Sequence, residues 1–169
     1  MREKEAKAPQ GGICREGEKA PDFLLQGSDG RPHSLKEYAG KTLVLYFYPK
    51  DGTSGCTSEA VGFRDIHPLL EQMGVVLLGV SRDSLKAHDK FVCDFGLTFT
   101  LLCDPDASAM AAYGAFGEKV QCGRKSLGTI RSTVVISGEG VVIKQWKKVA
   151  KASEHPAQVL DFLRKKQGR

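Results

Sequence analysis

The stretch Tyr46-Phe-Tyr-Pro-Lys-Asp-Gly-Thr-Ser-Gly-Cys56 decides how this chain folds, because it reads as a strand that passes through a short loop into a helix. Residues 42–48 are apolar on both faces, which predicts a central strand covered by helices on each side. Pro49 ends the strand, since proline cannot donate to a sheet ladder. A helical pattern then runs from Thr57 to Met73. The first turn of a helix has unpaired N–H groups and a positive dipole that stabilise a thiolate, so Cys56 is a candidate nucleophile.

The rest of the chain alternates between strands and helices. A hairpin signal, Asp29-Gly30, separates a strand at residues 23–25 from a return strand toward Ser34. The later pattern predicts a strand at 75–80, a helix from Ser84 to Gly96, a strand at 98–102, a short helix at 104–113, a loop at 114–129, a hairpin at 132–146 and a helix at 153–166. This order is typical of an α/β fold with a mixed central sheet and helices on both faces.

The length of 169 residues fits one domain. Residues 1–12 are charged and end in Pro9-Gln-Gly-Gly12, so we expect a disordered N-terminal arm before a domain at 13–169. The sequence has no apolar run of about 18 residues, and its N-terminus lacks the apolar core of a signal peptide. These features predict a cytoplasmic protein without a membrane span.

The charged residues do not form a nucleic-acid surface. A net charge of +5 arises from 25 basic and 20 acidic residues that are interspersed along the chain. No basic stretch contains interleaved aromatic residues. We therefore interpret the basic clusters, Lys147-Lys148 and Arg164-Lys165-Lys166, as solvated ends of strands and helices.

The five cysteines are Cys14, Cys56, Cys93, Cys103 and Cys122. Their odd number and wide spacing do not fit the disulfide framework of a small secreted domain. No Cys-x-x-Cys is present and the four histidines are scattered, so the sequence predicts no zinc site.

The motif Pro49-x-x-x-Thr53-x-x-Cys56 resembles the active-site signature of peroxiredoxins, and its surroundings resemble the bacterioferritin-comigratory (PrxQ) subfamily. The likeness covers about residues 16–165 and includes Ala20-Pro-Asp-Phe23, Gly79-Val-Ser-Arg-Asp83, Arg131-Ser-Thr133 and Trp146-Lys-Lys-Val149. It implies a thioredoxin-like fold and a thiol peroxidase that reduces hydrogen peroxide and organic hydroperoxides without a cofactor. It also implies thioredoxin or a similar dithiol as the reductant, and a monomer.

The resemblance assigns roles at the site. Cys56 would attack the peroxide and become a sulfenic acid. Thr53 would accept a hydrogen bond from the peroxide while contacting the thiolate; it can also be the N-cap of the helix. Pro49 would shield the sulfur, or only end the strand. Arg131 would hold the thiolate and stabilise negative charge on oxygen. Without the resemblance, we would interpret Arg131 as a surface residue.

The partner of Cys56 remains open at this point. Many members of the subfamily carry a resolving cysteine five residues after the first, where this chain has Val61. Another subset carries it in the helix that here contains Cys93. We therefore expect Cys93, at the edge of the buried face of that helix, as the first candidate. The alternatives are one of Cys14, Cys103 and Cys122, or a single-cysteine enzyme that uses an external thiol.

Other functions fit the sequence less well. A thioredoxin-like disulfide oxidoreductase would need a second cysteine where Glu59 stands, and a cysteine phosphatase would need an arginine where Gly62 stands. A non-enzymatic binding module on the same fold would not require Thr53, Cys56 and Arg131 together.

Overall fold

The computed structural model describes residues 14–168, and the predicted arm at residues 1–12 lies outside that range. The strands are β1 Leu24–Gly27, β2 Pro32–Ser34, β3 Thr42–Phe47, β4 Val75–Ser81, β5 Thr100–Cys103, β6 Phe116–Gln121, β7 Arg124–Thr129, β8 Ser132–Ile136 and β9 Val142–Trp146. The helices are α1 Ser54–Gln72, α2 Leu85–Phe95, α3 Ser108–Ala112 and α4 His155–Gln167, and a 3-10 turn spans Leu35–Tyr38. None of the helices in this range is long and apolar enough to cross a membrane.

Seven strands form one mixed sheet in the order β2-β1-β5-β4-β3-β8-β9. The β3 strand pairs in parallel with β4 and antiparallel with β8, so it lies inside the sheet as the sequence predicts. Because β8 runs against β3, the start of β8 lies beside the end of β3, and Ser132 is the register partner of Phe47. This register brings the residue before β8 to the edge of the sheet where β3 leads into α1.

Side chains of β3 alternate between two apolar clusters on opposite faces of the sheet. Val44 and Tyr46 belong to a cluster with residues of α1, α2 and α4, whereas Leu45 and Phe47 belong to a cluster that includes α3. The predicted two-sided burial of β3 is therefore confirmed, with helices on both faces. Each fully buried large side chain in such clusters contributes about 1.5–3 kcal/mol through removal of apolar surface from water.

The helix ends follow the predicted capping residues. The Ser84 hydroxyl accepts a hydrogen bond from the backbone N–H of Ala87 at 3.2 Å, and Gly96 ends α2 in the left-handed region with a φ of 58°. Gly74, with a φ of 74°, follows α1. Only glycine adopts such positive φ values without a steric penalty, which explains its place after both helices.

Two predictions differ from the structure. Residues 114–129 were expected to form a loop, but β6 and β7 form a two-stranded antiparallel sheet of their own. Most of β7 is exposed, and Val120 and Leu127 are 69% and 74% exposed. A hairpin with no buried face has no reason to alternate apolar and polar residues, so its sequence carried no strand signal. Helix α1 also begins at Ser54, three residues before the predicted start.

Candidate active site

Cys56 is the third residue of α1, because the Thr-Ser-Gly sequence before it already belongs to the N-cap and first turn. Its side chain is only 1% exposed and belongs to the apolar cluster that contains Tyr46 and Phe63. The thiol therefore combines the dipole of a helix N-terminus with a surface that largely excludes water. Such a site can present a thiolate to a small substrate while keeping bulky reagents away.

Arg131 immediately precedes β8, and the register of β8 on β3 brings its guanidinium to Cys56. Arg131 Nη2 donates a hydrogen bond to the Cys56 sulfur at 3.3 Å across 75 residues of sequence. A Cβ on Gly55 would lie 3.1 Å from Arg131 Nη2, which is a tight contact. Glycine before the cysteine thus leaves room for the guanidinium over the first turn of α1.

Glu59 completes the group and lies one helical turn after Cys56. Arg131 Nη1 donates to Glu59 Oε1 at 2.8 Å, so one guanidinium bridges the carboxylate and the sulfur. Glu59 is 0% exposed, and its second oxygen has no hydrogen-bond partner within the described part of the chain. No role for Glu59 was predicted from the sequence; the signal that could have identified it is a glutamate one turn from the thiol on the buried face of a helix.

Burial and neighbouring charges shift the pKa values of Glu59 and Arg131 in opposite directions. Burial raises the pKa of the Glu59 carboxyl to about 7, although the Arg131 charge and hydrogen bond lower it. Burial lowers the pKa of Arg131, but Glu59 and Cys56 more than compensate and raise it above its usual value. The guanidinium therefore stays charged next to the sulfur at any pH at which the protein is folded.

The loop between β3 and α1 carries the other two predicted residues. Pro49 is half-buried directly after β3, and Thr53 is exposed at the N-cap position of α1. The Thr53 hydroxyl makes no capping hydrogen bond; it donates to the Lys50 carbonyl at 2.9 Å. Its lone pairs are consequently left to accept a hydrogen bond from a ligand.

The four remaining cysteines have contrasting surroundings, and all five are free in the range 14–168. Cys14 and Cys103 are buried, and burial raises the pKa of each thiol to about 11. Cys122 is exposed at the turn between β6 and β7. Cys93 is exposed on α2, so its predicted place at the edge of the buried face was wrong. The apolar Leu85 does not mark the buried face of this helix, because Leu85 is 39% exposed and the helix buries His88 and Phe91 instead.

Known proteins of similar sequence belong to one family. A family model described as the AhpC/TSA family matches residues 17–145. The putative peroxiredoxin bcp of Coxiella burnetii is 46% identical over 87% of this chain and 97% of its own length. Peroxiredoxin Bcp of Bacillus subtilis is 43% identical over 88% of this chain and 94% of its own length.

A solved structure of the Xanthomonas campestris bacterioferritin comigratory protein is similar to this fold with a TM-score of 0.80 and 40% identity. The match covers 85% of this chain and 91% of that chain, and the work on that protein concerns alkyl peroxide reduction. The predicted thioredoxin-like fold is thereby confirmed. On its matched family model, its relatives and its fold, the chain belongs to the AhpC/TSA family and is a peroxiredoxin of the Bcp/PrxQ type.

Proposed function

We propose that the Cys56 thiolate attacks the terminal oxygen of a hydroperoxide that enters beside Thr53. The sulfur–oxygen bond forms as the O–O bond breaks, which leaves a sulfenic acid on Cys56. The departing oxygen takes up one proton from solvent, equivalent to the one that the thiol lost, and leaves as water from hydrogen peroxide or as an alcohol from an organic hydroperoxide. The observation that carries this proposal is the guanidinium of Arg131 at 3.3 Å from the sulfur. A charged donor in place before the reaction stabilises both the thiolate and the charge that develops on oxygen.

The loop between β3 and α1 would orient the peroxide. The Thr53 hydroxyl donates a hydrogen bond to the backbone carbonyl of Lys50, so its oxygen is free to accept a hydrogen bond from the peroxide. Pro49 is half-buried between the strand and this loop, where it limits the access of water to the sulfur. Both roles are proposals that the loop geometry supports.

The substrates would be hydrogen peroxide and organic hydroperoxides. The apolar cluster around Cys56 favours an uncharged substrate, and the Xanthomonas relative is studied for its reduction of alkyl peroxides. The choice of thioredoxin or a similar dithiol as reductant stays a prediction from the resemblance. So do the monomeric state, the cytoplasmic location and the absence of a cofactor.

Cys93 is our candidate for the resolving cysteine. Cys14 and Cys103 are buried thiols whose pKa is raised to about 11, which leaves little thiolate at neutral pH. Exposed Cys93 is open to reaction and lies on a short helix, although burial of Cys56 means that the two can meet only after local movement. The sulfenic acid and the Cys93 thiol would then give a disulfide and water.

Stopped-flow measurement of hydrogen peroxide consumption tests the proposal. Wild-type protein should consume peroxide rapidly, and Cys56→Ser should not. In Cys93→Ser the first turnover should be retained, while sulfenic Cys56 persists and turnover with thioredoxin falls. Equal consumption by wild type and Cys56→Ser would favour a binding module over a peroxidase, and peptide mapping that links Cys56 to another cysteine would replace Cys93.

A further inference from the structure

A second buried polar group joins the catalytic loop to helix α2. His88, which is 0% exposed, places Nδ1 2.6 Å from Asp51 Oδ2 and Nε2 3.0 Å from the carbonyl oxygen of Leu102. Asp51 stands between Pro49 and Thr53, and its side chain is only 6% exposed. His88 and Asp51 are 37 residues apart in sequence, and neither is part of the group formed by Cys56, Glu59 and Arg131.

The proton count of this pair follows from its geometry. The Leu102 carbonyl can only accept, so Nε2 of His88 carries a hydrogen. Asp51 Oδ1 accepts a hydrogen bond from the Tyr48 hydroxyl at 2.6 Å, and a carboxylate can accept from a second donor at its other oxygen. With Asp51 as a carboxylate, Nδ1 donates to Oδ2. A histidine that donates from both nitrogens is an imidazolium, so His88 and Asp51 form a buried ion pair.

Other charged groups surround the pair. Asp83, after β4, accepts from the backbone N–H of Asp51 at 2.9 Å and from the Ser81 hydroxyl at 2.6 Å. Cys103, at the end of β5, is neutral because burial and the charges of Asp51, Asp83 and Asp89 raise its pKa. The positive charge of His88 therefore lies among carboxylates, and Asp51 is the one it contacts.

These contacts fix the conformation of the loop from Pro49 to Thr53. Asp51 is held from β3 through Tyr48, from the end of β4 through Asp83, and from α2 through His88. Thr53 is in turn fixed to Lys50, the neighbour of Asp51. The position of the Thr53 hydroxyl, at the start of the helix that carries Cys56, thus depends on the Asp51 contact.

The same contact holds α2 in place. His88 and Phe91 are the buried residues of this helix, and Cys93 follows His88 by about one and a half helical turns. Because Cys93 is exposed while Cys56 is buried, their sulfurs meet only after one of the two helices shifts or unwinds. With only two buried residues, α2 is the helix that we expect to move. That movement withdraws a charged imidazolium from its counter-ion, which is costly for a buried pair.

We propose that the Asp51–His88 ion pair is a positioning element with opposite effects on the two half-reactions. It accelerates the attack of Cys56 on peroxide by fixing the loop that carries Pro49 and Thr53. It slows formation of the disulfide between Cys56 and Cys93, in which the sulfenic acid and the thiol condense and release water. This inference rests on the proposed function of Cys56, Thr53 and Cys93.

Two substitutions separate the two hydrogen bonds of His88. An asparagine amide nitrogen occupies nearly the position of Nδ1, so His88→Asn keeps a donor to Asp51; a glutamine amide nitrogen occupies nearly that of Nε2, so His88→Gln keeps only the donor to Leu102. We expect His88→Gln to slow sulfenic acid formation about tenfold to a hundredfold, as a displaced reacting group does. It should speed disulfide formation, while His88→Asn stays closer to wild type in both steps.

His67→Gln is the matched control for His88→Gln, because it removes the contact made by Nδ1. His67 is a buried histidine on α1 whose Nδ1 lies 2.7 Å from the Thr98 hydroxyl, away from the catalytic loop. This variant should lower the melting temperature without changing either rate. Both steps are followed by stopped flow in the full-length protein with hydrogen peroxide, and the melting temperature is measured for each variant.

Several outcomes would overturn the inference. Equal effects of His88→Asn and His88→Gln, or a change of both steps in the same direction, would make His88 a merely structural residue. Nitrogen-15 NMR of the wild type at neutral pH provides a test that does not require a variant to fold: a neutral His88 ring contradicts the ion pair. Failure of the peroxidase proposal is recognised separately, because wild type and Cys56→Ser would then consume peroxide equally.

Discussion

Helices α1 and α2 each carry a cysteine that we assign to the reaction, but they hold it in opposite surroundings. In α1, which has 19 residues, Cys56 is buried beside Arg131, and further buried residues follow along the helix to Leu70. In α2, which has 11 residues, only His88 and Phe91 are buried and Cys93 is exposed. Segments with few buried contacts open at lower cost than the rest of a fold. This contrast fits our proposal, in which the attack on peroxide uses the firmly held helix and the second step uses the more weakly held one.

The largest effect on the peroxide rate should come from replacing Arg131, whose guanidinium contacts Cys56 in α1. Arg131→Lys keeps the charge but loses the planar fork that bridges Glu59 and the sulfur. We expect the rate of peroxide attack to fall about tenfold to a thousandfold, the scale of losing one preorganised donor. Stopped flow of the first turnover measures this, and Arg82→Lys, which changes an arginine outside the site, should be close to wild type. A rate for Arg131→Lys within about twofold of wild type would remove the guanidinium from the mechanism.

A second prediction concerns what keeps α2 in place. Phe91 is 3% exposed and packs against Tyr48 and Phe95, so Phe91→Ala should lower the free energy of unfolding by about 3–5 kcal/mol. Leu85→Ala, on the same helix but 39% exposed, should change it by about 0.5 kcal/mol or less. Urea unfolding measures both. Similar losses for the two variants would show that α2 is not held chiefly through Phe91.

The pH dependence of stability tests the buried carboxyl on α1. Burial raises the pKa of Glu59 from 4.5 to about 7, so the folded protein retains a proton that the unfolded chain releases. Its contribution to stability is therefore fully present below pH 4.5 and is lost as the pH rises through about 7. Relative to Glu59→Gln, the wild type should lose on the order of 3 kcal/mol over this range.

His155 provides the internal reference for that experiment. Burial lowers its pKa from 6.5 to about 4, so its contribution is present above pH 6.5 and is lost as the pH falls through about 4. Because this opposite slope occurs in both proteins, the difference between wild type and Glu59→Gln isolates the carboxyl. A difference that stays constant from acid to neutral pH would mean that the pKa of Glu59 is the same in the folded and unfolded states, which contradicts the effect of burial.

The smallest expected effects come from the N-cap residues of α1 and α2. The Ser84 side chain caps α2, whereas the Thr53 side chain does not cap α1. Ser84→Ala should therefore lower the free energy of unfolding by about 1 kcal/mol and leave the peroxide rate unchanged. Thr53→Val should do the reverse, with a stability change within about 0.5 kcal/mol and a slower reaction. If Thr53→Val reacts like wild type, its hydroxyl does not orient the substrate.

The sequence predicted the elements whose burial leaves a periodic pattern. Residues 42–48 were recognisable because both faces are apolar, and Ser84 and Gly96 were recognisable because capping is local chemistry. The β6–β7 hairpin was missed because its side chains lie mostly in solvent. Cys56 could be identified from its position at the start of a predicted helix. Arg131 was identified only through the family resemblance, since nothing in the local sequence shows which arginine will contact a thiol.

Contacts between distant residues were beyond what a pattern can show. His88 is fully buried against Asp51. No periodicity within α2 identifies a partner 37 residues earlier. The exposure of Cys93 was misjudged for a related reason, because the helix is buried through the polar His88 together with Phe91, while the apolar Leu85 is exposed.

The pairing of β8 with β3 has a consequence for the order in which the protein matures. Arg131 follows Cys56 by 75 residues, so a nascent chain contains the thiol well before it contains the cation. At about 5–20 residues per second, synthesis of the intervening chain takes roughly 4 to 15 s. During that interval the nucleophile lacks the guanidinium that we propose activates it. Reactivity toward peroxide would thus arise only after a long-range strand pairing has formed, which couples completion of the fold to the onset of chemistry.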